Sequence, residues 1–179
     1  MKTQTKNIVI VVLILIILSG GYWFWKTCSD YKHKVNDVLE YSAYSNLNIT
    51  QQQLINLRDG IKTYEGQQIS SEEFYNIIHG PCRDYFLYGD YTREFRYLNN
   101  KLSYLDYSAL NTYIMLLNDK IPPESIDYHK ENLMKIIKLW APLNFYAMDS
   151  YLEPNEELKK LIEETNTLAN EGIERIEDK

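Results

Sequence analysis

Glycine, proline, cysteine and histidine are all scarce in this chain of 179 residues, with seven Gly, five Pro, two Cys and three His. Two of the glycines lie inside an apolar run, which leaves little for phosphate-cradling loops, and no GxxxxGK[ST], GxGxxG or GxSxG occurs. Two cysteines are too few for a disulfide-dense mini-protein. His33, His79 and His129 are scattered; none has a second histidine at helical ligand spacing, and HExxH and CxxC are missing. Positive charge is also short, at 19 Lys+Arg against 25 Asp+Glu, for a net −6. A nucleic-acid binder needs a basic face for phosphate, so that class is set aside. Sustained two-residue alternation is absent, and the one Asp-Gly pair, Asp59-Gly60, ends a helical pattern and not a hairpin. These shortages exclude the familiar nucleotide, metal and strand-built sites; no cofactor and no metal are expected.

What the chain does have is an uneven distribution of hydrophobicity. Ile8 to Trp25 reads IVIVVLILIILSGGYWFW without a charge, preceded by Lys2 and Lys6 and closed by Lys26. As a helix this run spans about 27 Å, enough for a bilayer core. Residues 1–26 carry three lysines and no acid, a net +3, so the other 153 residues carry −9 of the chain total of −6. Tyr22-Trp23-Phe24-Trp25 has the make-up of an interfacial aromatic belt, with Lys26 just beyond it. A signal peptidase would have to accept that bulky run directly after its cut, so an uncleaved signal-anchor is favoured over a cleaved signal peptide. The domain expectation is a transmembrane segment at 1–26, contacting lipid through residues 8–25, and an all-helical domain at 27–179. The short basic tail resembles the start of an export signal, which places the body in the periplasm or at the cell exterior, on a single-pass cytoplasmic-membrane protein. Heavy use of Ile, Asn, Lys and Tyr fits AT-rich coding and a bacterial envelope.

An even cysteine count in an exported domain invites pairing, which makes Cys28 and Cys82 the disulfide candidate. A bond between them would close a loop of some fifty residues and stabilise by about 4 kcal/mol on the chain-entropy account. Two reduced thiols are the alternative.

The body has a 3.6-residue period throughout. A first helix is expected after Ser29 to about Tyr44, with Tyr31, Val35, Val38, Leu39 and Ser42 on one face. A second follows Thr50 as N-cap, with Leu54, Leu57 and Ile61 inward. Ser70-Ser71-Glu72-Glu73 is a capping box that opens a third, which His79-Gly80-Pro81 terminates. Asp90 is expected to cap a helix carrying Phe95, Leu98, Leu102 and Leu105, and Asp106 a restart over Tyr107–Asn118. Pro122-Pro123 forces a turn, a helix with Leu133, Ile136, Ile137 and Trp140 follows, and Pro142 kinks or ends it. Glu153-Pro154 opens the last helix, with Pro at the first helical position. The fold class is therefore all-α: one N-terminal transmembrane helix and a compact bundle of about six or seven helices.

In the last helix Leu158, Leu161, Thr165 and Leu168 sit at heptad-like spacing, and Gly172 interrupts the pattern. Packing on the domain is the primary expectation; homo-oligomerisation through this helix is the alternative.

Chemistry is sparse. His79 and Cys82 are separated by a Gly-Pro turn, a poor arrangement for nucleophile and base. The acidic pairs Glu72-Glu73, Glu156-Glu157 and Glu163-Glu164 are adjacent on helices and point apart, unlike glycosidase carboxylates. Arg83, Tyr88, Tyr91, Arg93 and Arg96 bring aromatic and bidentate groups within 14 residues, and Tyr and Arg are frequent hot-spot types. Sixteen tyrosines suit a surface that meets a protein. The functional expectation is a non-enzymatic, membrane-anchored extracytoplasmic module that binds another protein, as an immunity or inhibitor protein or as an accessory subunit of an envelope complex. The rival is an anchored cell-wall hydrolase whose carboxylate pair is not local in sequence.

Overall fold

A computed structural model describes residues 2–64, 69–82, 100–118, 121–148 and 150–177, with the side chains of 2–9, 81–82 and 100–101 outside that description. All its regular elements are helical. They are α1 (Lys2–Thr63), α2 (Ser71–Cys82), a 3-10 segment (Asn100–Leu105), α3 (Ser108–Leu117), a 3-10 segment (Pro123–Ser125), α4 (Ile126–Trp140), a 3-10 segment (Phe145–Ala147) and α5 (Glu156–Glu177). Among the described residues the chain is thus all-α, with five α-helices and no strand.

Three segments expected as separate helices, over 8–25, 29–44 and 50–61, are one continuous α1. Thr50 does not cap a new helix. Its hydroxyl donates to the Asn46 carbonyl one turn back at 2.8 Å, a bond that lets threonine sit inside a helix. Burial then holds the stretch helical: Leu47, Leu54 and Leu57 are all fully buried, and such packing overrides the weak helix preference of Asn46, Asn48 and Thr50. Ser29 is likewise interior to α1 and caps nothing.

The chain divides into two compact units, residues 1–39 and 40–179. In the first, Ile10 to Leu18 are 48–70% exposed, and Tyr22, Trp23, Phe24 and Trp25 are equally uncovered. The helix is long and apolar enough to cross a membrane by length and composition, with a mean hydropathy of 1.7 in its apolar window and none of that window buried. Tyr31, Val35 and Val38, expected to face a core, are exposed instead; of that expected face only Leu39 is fully buried.

In the second unit the capping box at α2 forms as expected. The Ser70 amide and hydroxyl donate to Glu73 Oε2 at 2.9 and 2.7 Å, and the Glu73 amide donates to Ser70 Oγ at 3.3 Å. These bonds to the ionised form hold the Glu73 carboxyl below its ordinary range. Asp106 accepts from the Ser108 amide at 3.0 Å and so marks the start of α3. The α4 helix ends at Trp140, ahead of Pro142. The last helix starts two residues later than Pro154 suggested, at Glu156. Asn155 is its cap, accepting from the Glu157 and Leu158 amides at 2.9 and 3.2 Å.

The core of this unit gathers around α5, which packs on α3 and α4. Trp140 is its largest buried side chain. Its indole N–H donates to Thr165 Oγ1 at 2.9 Å, and its ring meets Tyr107 edge-on at 5.7 Å and Phe145 at 6.1 Å. Buried polar groups find partners across helices: Asn132 donates to the Leu168 carbonyl at 2.8 Å, and Tyr113 and His129 share a hydrogen bond of 2.9 Å. Burial pushes the Tyr107 phenol up to about 12 against a smaller opposing effect of its bond to Thr50, and raises Tyr113 further. Gly172 does not interrupt α5; the Tyr113 ring lies where a side chain at 172 would stand. Leu158, Leu161, Ile162, Thr165 and Ala169 are buried, while Leu168, Ile173 and Ile176 on the same helix are half-buried.

Candidate functional site

The candidate surface is built on the connection between α4 and α5, residues 141–155. Such a long segment needs side chains to satisfy its backbone, because its own amides and carbonyls have no ladder. Three elements supply them. From α1, Gln51 donates to the carbonyls of Trp140 and Leu143 at 2.7 and 2.9 Å. About three turns before it, the Glu40 carboxylate accepts from Ser150 Oγ at 2.5 Å and from the Tyr151 amide at 2.6 Å, with a longer bond from the Leu152 amide at 3.4 Å. From the first 3-10 segment, the Tyr104 hydroxyl donates to the carbonyls of Tyr151 and Glu153 at 2.8 and 3.2 Å. Within the connection, Asn144 caps the short 3-10 turn through the Tyr146 amide at 3.2 Å, and the Tyr151 hydroxyl donates to the Phe145 carbonyl.

A carboxylate accepting several donors is a strong, charge-assisted anchor. It also sets the electrostatics of its neighbours. Burial and the Glu40 charge raise both Tyr104 and Tyr151 to about 12, so these phenols stay protonated donors across physiological pH.

This scaffold presents aromatic and acidic groups outward. Tyr44 packs on Tyr146 with ring centroids 4.9 Å apart and on Tyr151 at 6.4 Å. Tyr146 remains 78% exposed and Tyr41, on α1, 72%. Beside them lies an open depression of about 490 Å3, lined by Asn144, Met148, Ser150, Glu153, Asn155 and Glu157 among others. Residues 142–157 hold four acids and no base. The surface offers rigid aromatic area, amide groups and negative charge, a combination suited to binding a basic surface.

The residues singled out from sequence fare differently. Arg83, Tyr88, Tyr91, Arg93 and Arg96 lie outside the described residues. Cys28 is an exposed free thiol on α1; Cys82 ends α2, and its side chain lies outside the described residues. His33 is exposed, His79 stacks on Tyr75 at 5.2 Å, and His129 is in the core. Among the described residues no group of three His, Cys, Asp or Glu side chains could hold a metal ion. Sequence reasoning noticed the tyrosine abundance but not this surface, because Glu40 and Ser150 are 110 residues apart and no local pattern links them. No protein-family model, no curated protein and no solved structure matches the chain.

Proposed function

We propose that this chain is a single-pass membrane protein whose helical domain, on the outer side of a cytoplasmic membrane, binds another protein through the acidic, tyrosine-bearing surface of residues 142–157. The observation that carries the reading is the wholly uncovered apolar window of α1. A core helix of that composition would be buried, and an exposed apolar area of this extent in water marks a membrane or protein contact. Lys2 and Lys6 on one side and the belt of Tyr22 to Trp25 with Lys26 on the other frame a stretch of bilayer length.

Anchoring confines the domain near the membrane and raises its effective concentration toward a partner there. An acidic face steers a basic partner and fixes its orientation, while the exposed Tyr146 and Tyr41 supply the apolar contact that steering alone lacks. An immunity protein or inhibitor that captures a cationic protein fits this chemistry, as does an accessory subunit of an envelope complex.

Two experiments test the reading separately. Membranes from cells expressing the full chain should retain it through an alkaline carbonate wash and release it with detergent. Full-length protein in the aqueous supernatant would overturn the anchor. In-cell cross-linking followed by purification should then capture a stoichiometric protein partner. Combining Tyr146→Ala with Glu153→Gln and Glu157→Gln should weaken that capture about tenfold or more, with an unchanged circular dichroism spectrum; undiminished capture would remove this surface from the reading.

A further inference from the structure

In residues 26–38 of α1 the side chains Lys26, Thr27, Ser29, Asp30, Lys32, His33, Lys34, Asn36 and Asp37 are all polar. The four that remain are Cys28, Tyr31, Val35 and Val38, spaced by three, four and three residues. Each of the four is exposed: Tyr31 by 70%, Val35 by 38%, Val38 by 59%, and Cys28 as a free thiol. A 3.5-residue apolar repeat on an exposed helix is the pattern that another helix fills, knobs into holes, in a left-handed supercoil. The same register continues toward the N-terminus through Phe24, Gly21, Ile17, Ile14 and Ile10. Phe24, Ile17, Ile14 and Ile10 are 50–70% exposed, and nothing stands within 4 Å of a side chain added at Gly21.

We propose that this seam, residues 10–38, pairs α1 in parallel with a second copy of the chain. The inference rests on the membrane-anchor reading, which fixes every copy in one direction and at one depth. Each seam residue then meets its own counterpart, and a repeat with no charged member is self-complementary. The flanking charges agree. Lys32 and Lys34 occupy the two positions beside the seam, where parallel pairing sets Lys32 against Thr27 of the second copy and brings no charge of like sign against Lys34. Gly21 permits close approach inside the bilayer, where small residues favour helix contacts. The area is sufficient. The seam runs for about 42 Å of helix, and Phe24 and Tyr31 alone present on the order of 200 Å2. With seven further positions the total per copy approaches the roughly 800 Å2 of a standard interface.

Cysteine cross-linking reads this geometry. Helix axes about 8–10 Å apart bring facing Cα atoms within about 4–6 Å, inside disulfide reach, while outward positions stand about 13 Å apart. The full-length chain in native membranes would carry Cys82→Ser, leaving Cys28 as the single thiol. In parallel, Cys28→Ser would be combined in turn with Tyr31→Cys, Val35→Cys, Val38→Cys, His33→Cys or Asn36→Cys. Copper phenanthroline with dioxygen serves as the oxidant, taking two electrons and two protons from each thiol pair as the S–S bond forms. Reductant-sensitive dimer should form at 28, 31, 35 and 38 at least about fivefold faster than at 33 and 36. In the Cys82→Ser chain, Val35→Asp should slow the Cys28 cross-link by a similar factor while the chain stays in the membrane fraction. Equal rates on and off the seam overturn the proposal, as does no dimer at thiols that react freely with a membrane-impermeant maleimide. A chain found in membranes with either result loses the seam and keeps its anchor; a chain found outside membranes loses the anchor itself.

Discussion

Gly172 and Gly80 show how one residue type carries different meanings. Both lie in helices, where glycine costs up to about 1 kcal/mol against alanine. A Cβ at Gly172 would stand less than 3.0 Å from three carbons of the Tyr113 ring, which is itself buried and bonded to His129. A Cβ at Gly80 meets nothing within 4 Å. Gly80→Ala should nevertheless be close to neutral, because Pro81 follows and its ring disfavours helical backbone for a residue with a Cβ, offsetting a propensity gain of at most about 1 kcal/mol. Gly172→Ala should destabilise it, because overpacking against a fixed ring costs about 1–3 kcal/mol and outweighs the propensity gain. Urea unfolding in detergent, followed by near-ultraviolet circular dichroism, compares the two; a stabilised Gly172→Ala would show that the Tyr113 ring yields. A second residue-scale prediction concerns Thr165, the acceptor for the Trp140 indole. Both side chains are fully buried. Thr165→Val keeps the shape, strands the indole N–H and should cost about 1–3 kcal/mol in the same assay.

At the scale of elements, α2 owes its start to an ionic cap, and its stability should follow the charge of Glu73. Two hydrogen bonds from Ser70 lower this carboxyl below the ordinary glutamate range. A group whose folded pKa is depressed adds stability above its unfolded pKa and loses it as pH falls through the folded one. Glu73→Gln should thus lower the unfolding midpoint at pH 7, with the gap to the parent closing as the pH drops below about 4.5. The site is exposed, so the gap should also narrow with salt. A gap independent of pH would mean that the cap works without its charge. This cap was readable from Ser70 and Glu73 because all its partners lie within four residues. The α4 end before Pro142 and the restart after Asp106 were readable for the same reason. The α1 boundaries were not, because Thr50 is equally suited to capping and to bonding back to Asn46, and only the burial of Leu47 and Leu54 decides between them. Pro154 misled in a similar way: Asn155 beside it offers a better acceptor for two amides. The candidate surface was the least legible part. Its tyrosines were visible as composition, but the contacts from Glu40, Gln51 and Tyr104 that hold residues 141–155 join positions tens of residues apart, and no periodicity encodes them.

For the whole molecule, the two compact units pose two different solvent problems. The described residues of 40–179 bury most of their apolar side chains, Trp140 being the largest of them. Residues 1–39 leave Ile10 to Leu18 and the aromatic belt uncovered. The first arrangement is stable in water, whereas the second is stable only against hydrocarbon or another apolar surface. The tryptophans divide in the same way, since Trp23 and Trp25 are 69% and 66% exposed and Trp140 is fully buried. A chain carrying Trp140→Phe therefore reports on the belt alone. In lipid vesicles its emission should shift to the blue relative to the chain in urea, and iodide should quench it weakly. Lipids brominated near the headgroup end of the acyl chain should quench it more than lipids brominated near the chain terminus, because amphipathic rings settle at the interface. Stronger quenching by the deep probe would place the belt within the hydrocarbon and shift the membrane boundary toward Lys32 and Lys34. Strong iodide quenching with no effect of either lipid would show that the uncovered window meets water or protein, and the anchor reading would fall with it.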